Sequence, residues 1–178
     1  MYRKCVTEVS VQHQKQVEEA LLKLMQTTPF EDITVTALCQ EANVSRRVFY
    51  HLFSNKNDAL HAMIDHRILA SESYLPGLPN PALRFFLYWK EQQSLLDALL
   101  ENQLTGLLLE RMLTIAMDED YDVRRWLRTE NTRRGRELLV FSLSGIIGLV
   151  YNWYLSGYER SPEEMADLLS QLLHPAQS

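Results

Sequence analysis

The stretch ITVTALCQEANVSRRVFYHLFSNKNDAL, Ile33–Leu60, decides how this chain reads. Thr34 stands where it can cap a short helix whose buried face is Val35, Leu38 and Ala42. Asn43 falls where a sharp helix-to-helix turn needs a left-handed residue, a conformation that asparagine adopts more readily than most residues with a Cβ. Ser45 can then cap a second helix running to about Leu52. Two short helices joined by a turn of a few residues, braced by an earlier helix, make a helix-turn-helix unit.

On the second helix Phe49 and Phe53 are one turn apart and can both point inward, which leaves Arg46, Arg47, Tyr50 and His51 directed outward as a face of donors. Residues 44–56 hold three basic side chains and no acid, although the whole chain carries a net charge of -5. Such a face suits DNA: phosphates attract Arg and Lys without regard to sequence, and the major groove admits one α-helix. Residues at the start of the second helix reach base edges, while the first helix, with Thr34 and Thr36 near its start, crosses the phosphate backbone. Ser45 and the backbone N–H groups that follow it add anion donors, and Lys56, at a new helix start, is placed to anchor another phosphate.

Toward the N-terminus, Val17, Ala20, Leu21 and Leu24 recur at helical spacing with Lys15, Glu18, Glu19 and Lys23 between them, predicting an amphipathic helix that ends near Thr27 and Thr28 and is stopped by Pro29. Toward the C-terminus, Ser54 or Asn55 offers a cap for a longer helix through Leu60, Ile64 and Ile68. LPGLPNP, Leu75–Pro81, cannot continue a helix and marks the domain boundary. The expected division is a helix-turn-helix domain over 8–55, a connecting helix over 56–75 and a helical body over 80–174. Within that body, helical patterns cover Ala82 to Lys90, Leu95 to Leu100 and Leu104 to Met117, followed by an acidic connection over 118–122. A further helix starts near Thr129 and ends at Ser156 and Gly157. Ser161 and Pro162 open the last one, whose face is Met165, Leu168, Leu169 and Leu172. With no convincing strand, the expected fold is all-α, with about nine helices.

A hydrophobic fraction of 46% and a charged fraction of 23% fit a folded soluble chain of 178 residues. One segment challenges that reading: LLVFSLSGIIGLVYNWYL, Leu138–Leu155, has no charge and nearly the length of a bilayer span. Ser142, Ser144, Gly145, Gly148 and Asn152, and the lack of a second such segment, favour a helical core or an oligomer interface, with membrane attachment as the alternative. Cys5 and Cys39 make no disulfide framework, so the expected compartment is a reducing cytoplasm. Phosphate-binding glycine loops and nucleophile elbows are absent, and His61 and His66 lie five apart and project in different directions. Neither an enzyme, a cofactor nor a metal site is therefore expected.

Thr34-Val35, Ala42-Asn43-Val44-Ser45, Tyr50-His51-Leu52-Phe53 and the Lys56 to Leu60 run together resemble the N-terminal DNA-binding domain of TetR-type transcriptional regulators, over roughly the first third of the chain. The resemblance implies that Tyr50 and Lys56 contact phosphates, that Arg46, Arg47 and Val48 approach bases, and that Phe49 and Phe53 hold the recognition helix to its scaffold. Asn43 departs from the family's usual glycine and Leu52 from its usual histidine, so any polar contact of that histidine is missing. The end of the chain, GIIGLVYNWYLSGYERSPEEMADLL, resembles the C-terminus of a subgroup common among Gram-positive bacteria.

Regulators of this kind are homodimers in which the last two helices of each subunit form a four-helix interface. By that resemblance Gly145 and Gly148 permit close helix approach, and Leu149, Leu155, Met165, Leu168, Leu169 and Leu172 offer apolar surface to a partner. Two subunits also suit DNA, because a twofold axis lets two recognition helices read the half-sites of a palindrome. The family further implies a small-molecule effector held among the middle helices, where Phe85, Tyr88, Trp89, Trp126 and Phe141 could line a pocket. These five read equally well as ordinary core. The resulting expectation is a cytoplasmic, dimeric repressor of double-stranded DNA operators. The alternative is a regulator-like protein that acts through protein contacts without binding DNA.

Overall fold

The computed structural model describes Tyr2 and residues 7–117 and 132–173; Trp126, Thr129 and the acidic run 118–122 lie outside the described residues. Every regular element among the described residues is helical. In chain order these are α1 (Glu8–Met25), a 3-10 turn (Phe30–Asp32), α2 (Val35–Glu41), α3 (Arg46–Leu52), α4 (Lys56–Ser73), α5 (Pro81–Glu91), α6 (Gln93–Glu101), α7 (Thr105–Ala116), α8 (Arg133–Leu155) and α9 (Pro162–Leu173). The protein is all-α.

Local chemistry explains the boundaries. Thr7 and Ser10 form a reciprocal capping box at the start of α1, each side-chain oxygen accepting from the other's backbone N–H at 3.2 Å. The helix stops at Met25, slightly short of the Thr27–Thr28 end expected from periodicity, because both threonine amides turn back onto the Leu24 carbonyl at 3.1 and 2.9 Å. Pro81 occupies the first turn of α5, and the Asn80 side chain caps it by accepting from the Leu83 amide at 3.1 Å. For α8, the Thr132 hydroxyl accepts from Gly135 N–H at 3.0 Å, so the described helix begins at Arg133.

The chain divides into two compact units, and the division falls inside α4 and inside α6. One unit comprises residues 1–67 together with 97–104; the other comprises 68–96 and 105–178. In the first, α1, α2 and α3 pack against one another around Val17, Leu21, Leu38, Phe49 and Phe53.

In the second unit α9 packs on α5, α7 on α8, and α5 on α8. Its core is aromatic: Phe86 and Trp153 meet edge to face with centroids 5.4 Å apart, and Trp153 Nε1 donates to the Arg160 carbonyl at 2.8 Å. Gly157, at φ 69°, reverses the chain after α8 in a left-handed conformation that only glycine adopts without strain. α8 is the one helix among the described residues long and apolar enough to cross a membrane. It buries Leu139, Leu143, Ile146, Ile147, Val150 and Trp153 along one side. One such helix does not indicate a membrane protein.

Candidate DNA-binding surface

The recognition surface is built from helix caps. The Thr34 hydroxyl accepts from Ala37 N–H at 3.1 Å to start α2, and the Ser45 hydroxyl accepts from Val48 N–H at 3.2 Å to start α3. Between them Asn43 takes φ 53°, and Val44 N–H reaches back to the Cys39 carbonyl at 3.0 Å, closing the end of α2. Asparagine thus supplies the left-handed residue that the turn requires. Phe49 and Phe53 are fully buried with ring centroids 5.4 Å apart, fixing the inner side of α3, and Leu52 is buried with them.

With the inner side fixed, Arg46, Arg47, Tyr50 and His51 stand exposed on α3, Val48 is half-buried, and the caps Thr34 and Ser45 are exposed beside Thr36. Arg46 is not a free-swinging cation. Its Nη1 donates to the Thr36 hydroxyl at 3.1 Å, and its guanidinium carbon lies 5.8 Å from the centre of the Tyr50 ring. One arginine therefore joins the start of α2 to the middle of α3.

Lys56, expected to anchor a phosphate, is half-buried. Its Nζ donates to the carbonyls of Phe30 and Glu31 at 2.7 and 2.6 Å, and it sits 4.8 Å from the Phe30 ring centre. An ammonium has three donors, so these carbonyls use two of them.

The first carboxylate after Val44 serves the fold. Asp58 is only 6% exposed, and its Oδ2 accepts from Ser54 N–H at 3.1 Å while Asp58 N–H donates to Asn55 Oδ1 at 3.0 Å. Asn55 thus caps α4, and Asp58 reaches back to the residue before that cap. Two open grooves flank α3, one lined by Thr36 and Gln40 of α2 and Asn43 of the turn, the other by Thr7, Ser10 and His13 at the start of α1. Among the described residues no carboxylate lines either groove. The second groove adds Thr7, Ser10 and His13 to the surface; nothing in the spacing of the sequence links them to α3, since the approach of the two helices is tertiary.

Behind the surface, α1 and α4 share a polar pair: His66 Nδ1 lies 2.8 Å from Glu18 Oε1, with Glu18 6% exposed. The hydrogen bond to Glu18 raises the His66 pKa above its ordinary value of 6.5, more than burial lowers it. Neighbouring Asp65 is buried and accepts from the Tyr2 hydroxyl at 2.8 Å.

Of the residues proposed for an effector pocket, Phe85, Tyr88 and Trp89 lie together and Phe141 lies apart from them. Phe85, Tyr88 and Trp89 are buried in the aromatic core of α5, whereas Phe141 is 78% exposed on α8, and Trp126 lies outside the described residues. The residues proposed for the interface divide as well. Gly145, Gly148, Leu155 and Leu172 are exposed, Leu149 and Leu168 are half-buried, and Met165 and Leu169 are buried within the chain. The apolar surface that α8 offers outward is instead extended by Leu138, Val140 and Phe141.

A capped helix-turn-helix with a basic, acid-free second helix defines the class of this N-terminal unit: a helix-turn-helix domain. Residues 19–63 match the profile of the bacterial regulatory proteins of the tetR family, a stretch that contains α2, α3 and the caps just described. The N-terminal helix-turn-helix is therefore similar to the DNA-binding domain of TetR-type regulators. Among solved structures it is similar in fold to the dihydroxyacetone kinase operon activator DhaS, with a TM-score of 0.55 and 17% identity over 90% of this chain and 93% of that one. No curated protein matches the sequence.

Proposed function

We propose that this protein is a homodimeric repressor that acts in the cytoplasm, binds a palindromic DNA operator through α3 of each subunit and is released by a small-molecule effector. The observation that carries DNA binding is the face of α3, with Arg46, Arg47, Tyr50 and His51 exposed and, among the described residues, no carboxylate lining either flanking groove. In this reading Arg46, Arg47 and Val48 meet base edges, and Thr34, Thr36, Ser45 and Tyr50 meet phosphates.

Dimerisation is supported by the exposed apolar residues Leu138, Phe141 and Leu155 on α8 and Leu172 on α9, and by Gly145 and Gly148, beside which a Cβ would meet no atom within 4 Å. Open space beside two glycines on an apolar helix gives a partner helix room for close approach. The effector and the sign of regulation rest on the family resemblance alone; the neighbour of known structure is called an activator. No catalytic step belongs to the proposal.

Sedimentation tests the assembly: a dimer is expected for the wild-type chain, and Phe141→Asp with Leu155→Asp should give a folded monomer with weakened DNA binding. A wild-type monomer that stays monomeric on DNA contradicts the proposal. A reporter carrying the selected operator across its promoter reads the sign, and higher expression in the presence of the protein overturns repression.

A further inference from the structure

α6 ends in a side chain that belongs to the DNA-binding unit. After Glu101 the helix is closed by Gln103 at φ 58°, with Gln103 N–H donating to Leu100 O at 3.0 Å and Leu104 N–H to Leu99 O at 2.7 Å. This closure sets the direction of Asn102. Its Nδ2 donates to Ala98 O at 2.7 Å, within its own helix, and to Met25 O at 3.3 Å, at the end of α1. Its Oδ1 accepts from the backbone N–H of Phe30, the first residue of the 3-10 turn.

Helix ends leave carbonyls and amides without intrahelical partners. One carboxamide serves such groups on both sides of the α1–α2 connection, a carbonyl at Met25 and an amide at Phe30, using a donor and an acceptor at once. Phe30 is 4% exposed, and its carbonyl accepts from Lys56 Nζ and from Ile33 N–H. The Phe30 peptide is therefore held on its amide side by α6 and on its carbonyl side by α4, directly before Thr34 caps α2. Residues 97–104 group with residues 1–67 in one compact unit, independently of these bonds.

We infer that Asn102 is a positioning residue for operator recognition. It fixes the α1–α2 connection and so the placement of α2, of Thr36 and of Arg46, which Thr36 holds. The inference rests on the DNA-binding reading above. The chemistry requires an amide, because a carboxylate of the same shape keeps the acceptor for Phe30 and loses the donor for Met25 and Ala98.

The test uses the full chain and the duplex that the wild type enriches from a random library. Asn102→Asp should bind that duplex about tenfold or more weakly near pH 8, with a carboxylate set against two carbonyl oxygens. Toward pH 5 the variant's affinity, taken relative to wild type at each pH, should recover, because a protonated carboxyl again donates and accepts. Circular dichroism and sedimentation should match wild type. Equal binding at both values, or a loss that does not recover, overturns the inference while leaving the DNA-binding reading intact. A wild type that enriches no duplex removes both. One measurement needs no variant: the Phe30 amide of the wild type should exchange with solvent as slowly as the buried amides of α1, and exchange as fast as an open loop overturns the inference even if Asn102→Asp fails to fold.

Discussion

The Nη1 of Arg46 lies 3.1 Å from the Thr36 hydroxyl, so the first residue of α3 is tied to the second residue of α2. A long side chain that must be ordered on binding loses rotamer freedom, and this tie makes part of that loss before DNA arrives. Arg46→Ala should weaken operator binding by about 1 to 3 kcal/mol and leave the dimer and thermal stability unchanged. Thr36→Val should cost less, and the two together should cost less than their sum, since both remove one interaction. Additive losses in a double-mutant cycle would show that the tie is unimportant for binding.

Lys56 should behave unlike the arginines. Its ammonium donates to two backbone carbonyls, so Lys56→Met removes partners from both. Stability should fall by about 1 to 3 kcal/mol, measured by denaturant unfolding. Arg47→Ala, by contrast, should leave unfolding unchanged and reduce the salt dependence of DNA binding. A Lys56→Met protein as stable as wild type would contradict the carbonyl contacts.

Phe53 is 1% exposed and its ring contacts Phe49. Phe53→Ala should destabilise the fold by about 3 to 5 kcal/mol, with the loss of operator binding following the loss of folded protein. Weakened binding by a variant of wild-type stability would move Phe53 from scaffold to contact residue.

The His66–Glu18 pair gives the stability a pH dependence of known sign. Because the folded-state pKa of His66 is raised above 6.5, folding binds a proton more tightly than the unfolded chain does. The stabilisation is fully present below the ordinary histidine value and is lost as pH rises through the raised one. Stability curves for wild type and His66→Gln should therefore differ in slope above pH 6.5 and run parallel well below it. Parallel curves throughout would show that the pair does not titrate with folding.

The helices and the α3 face are legible in the sequence because their signals are local. Thr34 and Ser45 cap within three residues of themselves, Asn43 makes its turn through its own backbone, and the spacing of Phe49 and Phe53 turns the arginines outward. What the sequence hides depends on distant partners. Lys56 lies 25 and 26 positions from the carbonyls that occupy it, and Asn102 lies 72 from the amide it accepts. The proline-rich break at 75–81 offers a boundary in the sequence, yet it cannot reveal that residues 97–104 return to the first unit. Likewise, aromatic residues have the same composition in a core as in a pocket; only coordinates separate buried Trp89 from exposed Phe141.

The most direct test of the central claim is selection from a random duplex library by the purified wild-type chain, followed by titration of the best duplex and a scrambled one at two salt concentrations. A palindromic winner is expected, bound more tightly than its scramble, with both affinities falling as salt rises. A folded chain that enriches no sequence and binds both duplexes equally would contradict operator recognition by α3.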